Sequence, residues 1–325
     1  MPNTTYRDAI RMALADEMRR DQNVILFGED VAVAGGVFKV TPGLYDEFGP
    51  NRVRDTPISE TAIVGAGLGA ALTGLRPVVE LMFVDFALVC MDQINNQVAK
   101  YRYMSGGQFK VPLVIRAAQG AGAGFGTQHS QCAEAWFMQS PGLKVAVPGT
   151  PSDAYGLLVT AIRDDNPVIF LEHKFMYTLA EDMPEHVDPI PFGKARVRRA
   201  GTDVTIIGTQ LMVGRALDAA ETLAKEGISA EVIDLRTLAP LDSAAILESV
   251  AKTGRLVVAE EAVGSAGWGG DIVSLVADEG VYYLEAPVKR VNMGRSLVAY
   301  SPPLEDYSIP SAERIAAAVR EVMQG

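Results

Sequence analysis

Residues 55–83 read DTPISETAIVGAGLGAALTGLRPVVELMF, and two local patterns meet inside them. From Glu60 to Leu72 the stretch has the composition of a helix, with Ser59 in the N-cap position and Gly74 just beyond its end. RPVVELMF (76–83) then forms a short apolar run bounded by Gly and Pro, which predicts a strand. The strand lacks clean in-and-out alternation, as expected where helices cover both faces of a parallel sheet. The same rhythm extends on either side. NVILFG (23–28), VPLVIRAA (111–118), LKVAVPG (143–149) and PVIFLEH (167–173) are predicted strands, with helices over Tyr6–Arg20, Ala87–Tyr103 and Asp153–Arg163.

From about Lys174 to Ala200 the pattern lapses into a polar stretch with Pro184, Pro189 and Pro191, the composition of a connector. Beyond it, DVTIIGT (203–209), AEVIDLR (230–236), RLVVAEE (255–261) and VKRVN (288–292) read as strands, separated by helices over Val213–Lys225, Ser243–Lys252 and Asp271–Asp278. The expected fold class is therefore α/β: a first domain over 1–185 with a parallel sheet, a connector over 186–200, and a smaller α/β domain over 201–325. A chain of 325 residues suits two domains, each with its own core.

Composition excludes several classes of function. Hydrophobic residues make up 48% and charged residues 21%, and no run of about 18 apolar residues occurs, so a membrane span is not expected. The N-terminus MPNTTYRDAIRMALADEMRRD mixes acids with bases and resembles neither a secretory nor a transit peptide, which reads as cytoplasmic. A net charge of −11 repels nucleic acid and anionic lipid. Cys90 and Cys132 are too few for a disulfide framework and read as packing residues, and three histidines leave little for an imidazole metal centre.

By position alone, Glu60 is an ordinary first-turn acid favoured by the helix dipole, on a helix whose Gly and Ala content permits close packing. QGAGAGFGTQHSQ (119–131) follows a predicted strand, and its amides could receive an anion, although GAGAG most often marks a turn. His129, a loop histidine flanked by Gln128, Ser130 and Gln131, reads as functional. The run 80–107 carries Asp92, Gln93, Asn95, Asn96 and Gln97, either a solvated helix face or a hydrogen-bonding subunit interface. Phe83 and Phe86, at a strand end where open α/β sheets bind ligands, are core residues or an aromatic platform. His173, Glu172 and His186 receive no role, and Glu260 and Glu261 read as surface or interface packing.

GEDVA (28–32), GGVFKVTPGL (35–44), DTPISE (55–60), AKYRYMSGG (99–107), QHSQ (128–131), SPGLKV (140–145), AIRDDNPVIFLEH (161–173), EVIDLRTLAPLD (231–242) and TGRLVVAEEA (253–262) occur in this order. Together they resemble the beta subunits of thiamine-diphosphate-dependent 2-oxoacid and acetoin dehydrogenases over almost the whole chain. The resemblance implies a pyrimidine-binding domain followed by a transketolase C-terminal-like domain. It also implies an alpha subunit that supplies Mg2+ and the diphosphate site, in an alpha2beta2 heterotetramer, and no GDG triplet of the magnesium-diphosphate motif occurs in this chain.

On the resemblance, Glu60 matches the glutamate that hydrogen-bonds the aminopyrimidine of thiamine diphosphate and promotes its imine form, which takes the thiazolium proton. Phe86 matches an aromatic residue of the pyrimidine pocket, and Leu81, Met82 and Phe83 would shape that pocket. His129 matches a histidine at the active-site mouth that orients intermediates and assists acyl transfer to a lipoyl group. AIRDDN resembles a structural potassium loop in which carbonyls of Leu113, Ala161, Ile162, Asp164 and Asn166 surround the ion. The C-terminal domain would contact the lipoyl acyltransferase core. Gln128 before the histidine fits pyruvate and acetoin enzymes better than branched-chain ones, with the 80–104 region nearest the acetoin type. The alternatives are a split transketolase-like subunit and a non-catalytic scaffold, the second opposed by the presence of both Glu60 and His129.

Overall fold

The computed structural model describes residues 3–324. The chain divides into two compact units, one formed by residues 3–119 and 136–192, the other by 120–135 and 193–324. The glycine-rich loop, expected to lie within a continuous first domain, therefore belongs to the second unit.

Six strands of the first unit are ordered Lys144–Ala146, Val168–His173, Val114–Gln119, Arg76–Leu81, Val24–Gly28 and Val53–Asp55, all parallel. Val114–Gln119 and Val168–His173 are buried at every position, which explains their unbroken apolar appearance. The helix Tyr6–Arg20 is capped by Thr5, whose hydroxyl accepts from the Asp8 amide at 3.2 Å, and it packs on the helix Pro151–Arg163. Thr150 caps that second helix in the same way, with Pro151 in its first turn.

The helix Glu60–Leu72 has the expected limits. Ser59 occupies the N-cap position, but its side chain makes no capping bond. The close approach suggested by the small residues is real at Gly67, where a Cβ would stand 3.0 Å from both Val79 Cγ1 and Leu113 Cδ1. The segment expected as one helix over Ala87–Tyr103 is three pieces: a 3₁₀ turn Val84–Cys90, a π-helix Asp92–Val98 and a short α-helix Tyr101–Met104. Its polar side chains bond to one another, Asn96 Nδ2 donating to Asp92 at 2.7 Å and Lys100 Nζ to Asn96 at 3.1 Å. Hydrophobic periodicity does not distinguish a π-helix from an α-helix over seven residues, and π segments concentrate at functional sites.

In the second unit the strands run Lys289–Met293, Leu256–Val263, Val204–Gly208, Ala230–Asp234 and Arg196–Arg199, the last antiparallel to its neighbour. A core of Val204, Ile206, Val232, Val257 and Ala259 from the sheet is covered by Val213, Ala216 and Ala220 of the helix Leu211–Ala224. Ile315, Val319 and Val322 of the helix Ala312–Met323, for which the sequence reading made no provision, complete it.

Candidate active site

The chemistry of the first unit gathers at the carboxyl ends of its strands. Gly28, Glu80 and Arg116 occupy one row across three neighbouring strands, with Gly28 paired to Glu80 and Glu80 to Arg116. Gly28 leaves no space beyond its backbone, since a Cβ there would lie 2.7 Å from the Glu80 carbonyl oxygen. Beside it Arg116, 1% exposed, donates from Nε and Nη2 to the two oxygens of Glu172 at 2.6 and 2.9 Å and from Nη1 to Glu80 at 2.7 Å. The Tyr177 hydroxyl donates to Glu172 at 2.8 Å, and burial, then the charge of Glu172, holds its phenol well above the usual range and therefore protonated. This buried network escaped the sequence reading. Its signal was one charged residue inside each of three otherwise apolar strands, because a buried charge is retained only when paired.

Glu60 opens its helix and is 7% exposed. That helix packs on the segment Val84–Cys90, and the Thr61 hydroxyl donates to the Val89 carbonyl at 2.9 Å. Glu29 follows the strand Val24–Gly28 and is also 7% exposed, with Oε1 buried and without a hydrogen-bond partner. Burial, then the charges of Glu60, Asp30 and Glu80, push the Glu29 carboxyl above its ordinary value. Burial and the Glu60 charge likewise push the Cys90 thiol up to about 12, which suits its expected role as a packing residue.

Leu81 is buried, whereas Met82 and Phe86 are half-buried. Phe86 meets Phe83 edge-on at 5.6 Å, Phe83 meets Phe38 at 5.4 Å, and the Lys174 ammonium stands 5.7 Å from the Phe83 ring. The two readings of these phenylalanines divide between them: Phe83 is an internal ring and Phe86 keeps an open side. Glu60, Leu81, Met82 and Phe86 thus all belong to the first unit, with Glu29 as an acid that the sequence reading did not single out.

His129 belongs to the second unit, half-buried in a short 3₁₀ turn Thr127–His129. The amides ahead of it, which the sequence left open between an anion site and a turn, are engaged by the chain's own carboxylates. Ala121 donates to Glu261 at 2.7 Å, and Gly122 and Gly124 donate to the two oxygens of Glu305 at 2.8 and 3.0 Å. Glu260 and Glu261, read as surface or interface residues, are 0% and 6% exposed. Asn292 and Arg290 donate to Glu260 at 2.8 and 3.1 Å.

Residues 161–166 run from the last turn of the helix Pro151–Arg163 into the loop that follows, and two of their carbonyls share one donor. Arg76 Nη1 donates to the Ile162 and Asp164 oxygens at 3.0 and 3.1 Å, while the Ala161 oxygen accepts from the Asp164 amide and the Leu113 oxygen from the Val168 amide. Asn166 donates from its side chain to Asp164 Oδ1 at 2.9 Å. Each of these four carbonyls already accepts one bond and retains a second lone pair. Among the described residues no helix is long and apolar enough to cross a membrane, and no group of three His, Cys, Asp or Glu side chains is placed to hold a metal ion.

Two domain families match the chain in succession. Residues 3–178 match the pyrimidine-binding domain of transketolase and residues 193–315 the transketolase C-terminal domain. A split-gene transketolase, solved as an inactive beta4 tetramer, superimposes with a TM-score of 0.81 over 99% of this chain and 98% of its own, at 24% identity, and so shares the fold. Sequence relatives narrow the class. The beta subunit of acetoin:2,6-dichlorophenolindophenol oxidoreductase from Cupriavidus necator is 51% identical over 98% of this chain and 96% of its own length. The beta subunit of the pyruvate dehydrogenase E1 component from Rickettsia bellii is 48% identical over 98% of both. The chain belongs to the family of 2-oxoacid and acetoin dehydrogenase beta subunits.

Proposed function

We propose that this chain is the pyrimidine-binding half of a thiamine-diphosphate-dependent acetoin or pyruvate-type dehydrogenase, active with an alpha subunit in an alpha2beta2 assembly. The observation that carries the reading is the pair of nearly buried carboxylates, Glu29 and Glu60, at the sheet end, one with an oxygen that lacks a donor. Such a cluster fits a flat heterocycle bearing N–H donors and a basic ring nitrogen, as the aminopyrimidine of thiamine diphosphate does. When bound, that cofactor supplies the carbon nucleophile and the electron sink. The Glu60 carboxylate holds a proton at the ring nitrogen and so selects its tautomer, Phe86 offers an aromatic surface, and Leu81 and Met82 fill the apolar side. His129 assists delivery of the acyl group to a lipoyl acceptor carried by an acyltransferase core.

Mg2+ belongs to the alpha subunit in this reading. A potassium ion on the second lone pairs of the Leu113, Ala161, Ile162 and Asp164 carbonyls, with Asn166, would share two of them with Arg76. The acetoin type is the first choice of donor, on the identity of the Cupriavidus relative and on the 80–104 region. Because one methylene in a pocket changes discrimination by only about 1–3 kcal/mol, the alpha subunit's contribution to that pocket decides the donor.

The test is co-expression with an alpha subunit of the same family and an assay of dye reduction with acetoin, pyruvate and branched-chain 2-oxoacids in parallel. Turnover that needs both chains and thiamine diphosphate is expected, fastest with acetoin. A stable assembly that binds the cofactor yet reduces no dye with any donor contradicts the reading.

A further inference from the structure

We propose that Glu305 is a positioning residue for His129, acting through the glycine-rich loop; the inference rests on the acyl-transfer role given to His129 above. Gly120, Gly122, Gly124 and Gly126 all have φ between 71° and 94°, so every second residue lies in the left-handed region. A chain that folds this way turns successive amides inward around an anion. Here the anion is built in. Glu305, on the helix Pro302–Ser308 and 2% exposed, accepts from Gly122 and Gly124 with its two oxygens, and Glu261 accepts from Ala121.

Beyond this clamp the loop has two more anchors to the same part of the chain. The Thr127 hydroxyl donates to the Val298 carbonyl at 2.9 Å, and Gly126 lies against Tyr300, whose ring would stand 2.9 Å from a Cβ at that position. The His129 amide then donates to the Gly126 carbonyl at 3.3 Å. A continuous series of contacts therefore runs from the Glu305 carboxylate to the backbone that carries the imidazole. Two of the four glycines, Gly122 and Gly124, and Ala121 between Gly120 and Gly122 are tied by charge-assisted bonds, which holds a stretch rich in flexible residues in one conformation ahead of the histidine.

The consequence is a division of labour. Loss of the Glu305 carboxylate frees the loop and impairs the step that uses His129, leaving steps that depend on Glu60 in place. The experiment compares Glu305→Gln, which keeps one acceptor oxygen, and Glu305→Ala, which keeps none, in the full chain assembled with its alpha partner. Amide hydrogen exchange over residues 119–131 is expected to speed up by about tenfold or more in the alanine variant and less in the glutamine variant, because each charged bond contributes that order of protection. Acyl transfer to a free lipoyl domain is expected to fall by a similar factor, while dye reduction by the folded assembly stays near that of the parent.

Unchanged loop exchange in the alanine variant overturns the proposal, as does a loosened loop with lipoyl transfer intact. Equal loss of dye and lipoyl turnover in a folded assembly also overturns it. Should Glu305→Ala fail to assemble, Glu305→Gln and Glu261→Gln, each removing part of the clamp, must still give graded loosening confined to the loop. If the parent assembly reduces no dye with any donor, the functional reading fails on its own, while the exchange measurement still decides whether Glu305 holds the loop.

Discussion

Arg116 and Glu172 form a two-point ion pair on adjacent parallel strands, Nε to Oε1 at 2.6 Å and Nη2 to Oε2 at 2.9 Å, with neither residue more than 1% exposed. The same guanidinium reaches Glu80, so one cation holds two carboxylates beneath the sheet end where Glu29 and Glu60 lie.

Removal of that cation leaves two buried negative charges without compensation. Arg116→Met is expected to cost about 3–5 kcal/mol in unfolding free energy, measured by urea denaturation. Adding Glu80→Gln and Glu172→Gln to the same variant should recover part of that loss, since the residual penalty comes from the stranded carboxylates. A loss below about 1 kcal/mol would mean that water reaches the network and screens it.

Gly28 is fixed by the Glu80 backbone rather than by its own φ. Gly28→Ala would set a Cβ 2.7 Å from the Glu80 carbonyl and 3.1 Å from its Cβ, so the strands must part or the sheet end must shift. The expected loss is about 1–3 kcal/mol, the usual range for overpacking, with Glu29 displaced. The thermal midpoint and the affinity for thiamine diphosphate of the alpha/beta assembly should both fall; full retention of the affinity would separate Gly28 from the site.

Glu29 carries a pH signature. Its folded carboxyl lies above the ordinary value of 4.5, raised by burial and then by Glu60. The folded state therefore binds the proton more tightly than the unfolded state, so the group favours folding below that ordinary value, and this contribution is lost as pH rises through the folded value. Glu29→Gln removes the charge at every pH. The variant should melt above the parent at pH 8, and the difference should shrink as pH falls toward 4.5. A difference that widens on acidification would reverse the sign of the shift.

The buried parallel strands, and all but one of the predicted helices, were legible in the sequence because they leave local marks, as Ser59 and Gly74 bound Glu60–Leu72; the edge strands Val53–Asp55 and Arg196–Arg199 were not, the second lying inside the stretch read as a connector over 186–200. The irregular run 84–104 was not legible, since short segments of 3₁₀ and π geometry packed against the Glu60 helix leave no hydrophobic period that sets them apart from an α-helix. Glu60 could be found only through family resemblance, because a first-turn acid is common. The roles of Glu305 and Glu261 were hidden for a different reason: each is more than 100 residues from the amides it binds, and sequence separation of that size carries no local pattern.

In the function proposed above, the Glu60 carboxylate controls the protonation of the bound aminopyrimidine. The most direct measurement is the rate at which the thiazolium C2 proton of thiamine diphosphate exchanges with deuterium in the alpha/beta assembly, compared between the parent and Glu60→Gln with the cofactor saturating. The variant is expected still to bind the cofactor but to slow exchange by about 10²–10⁴-fold, the range for loss of a positioned acid or base. Equal exchange rates in the two assemblies would contradict it and would return Glu60 to the role of an ordinary first-turn acid.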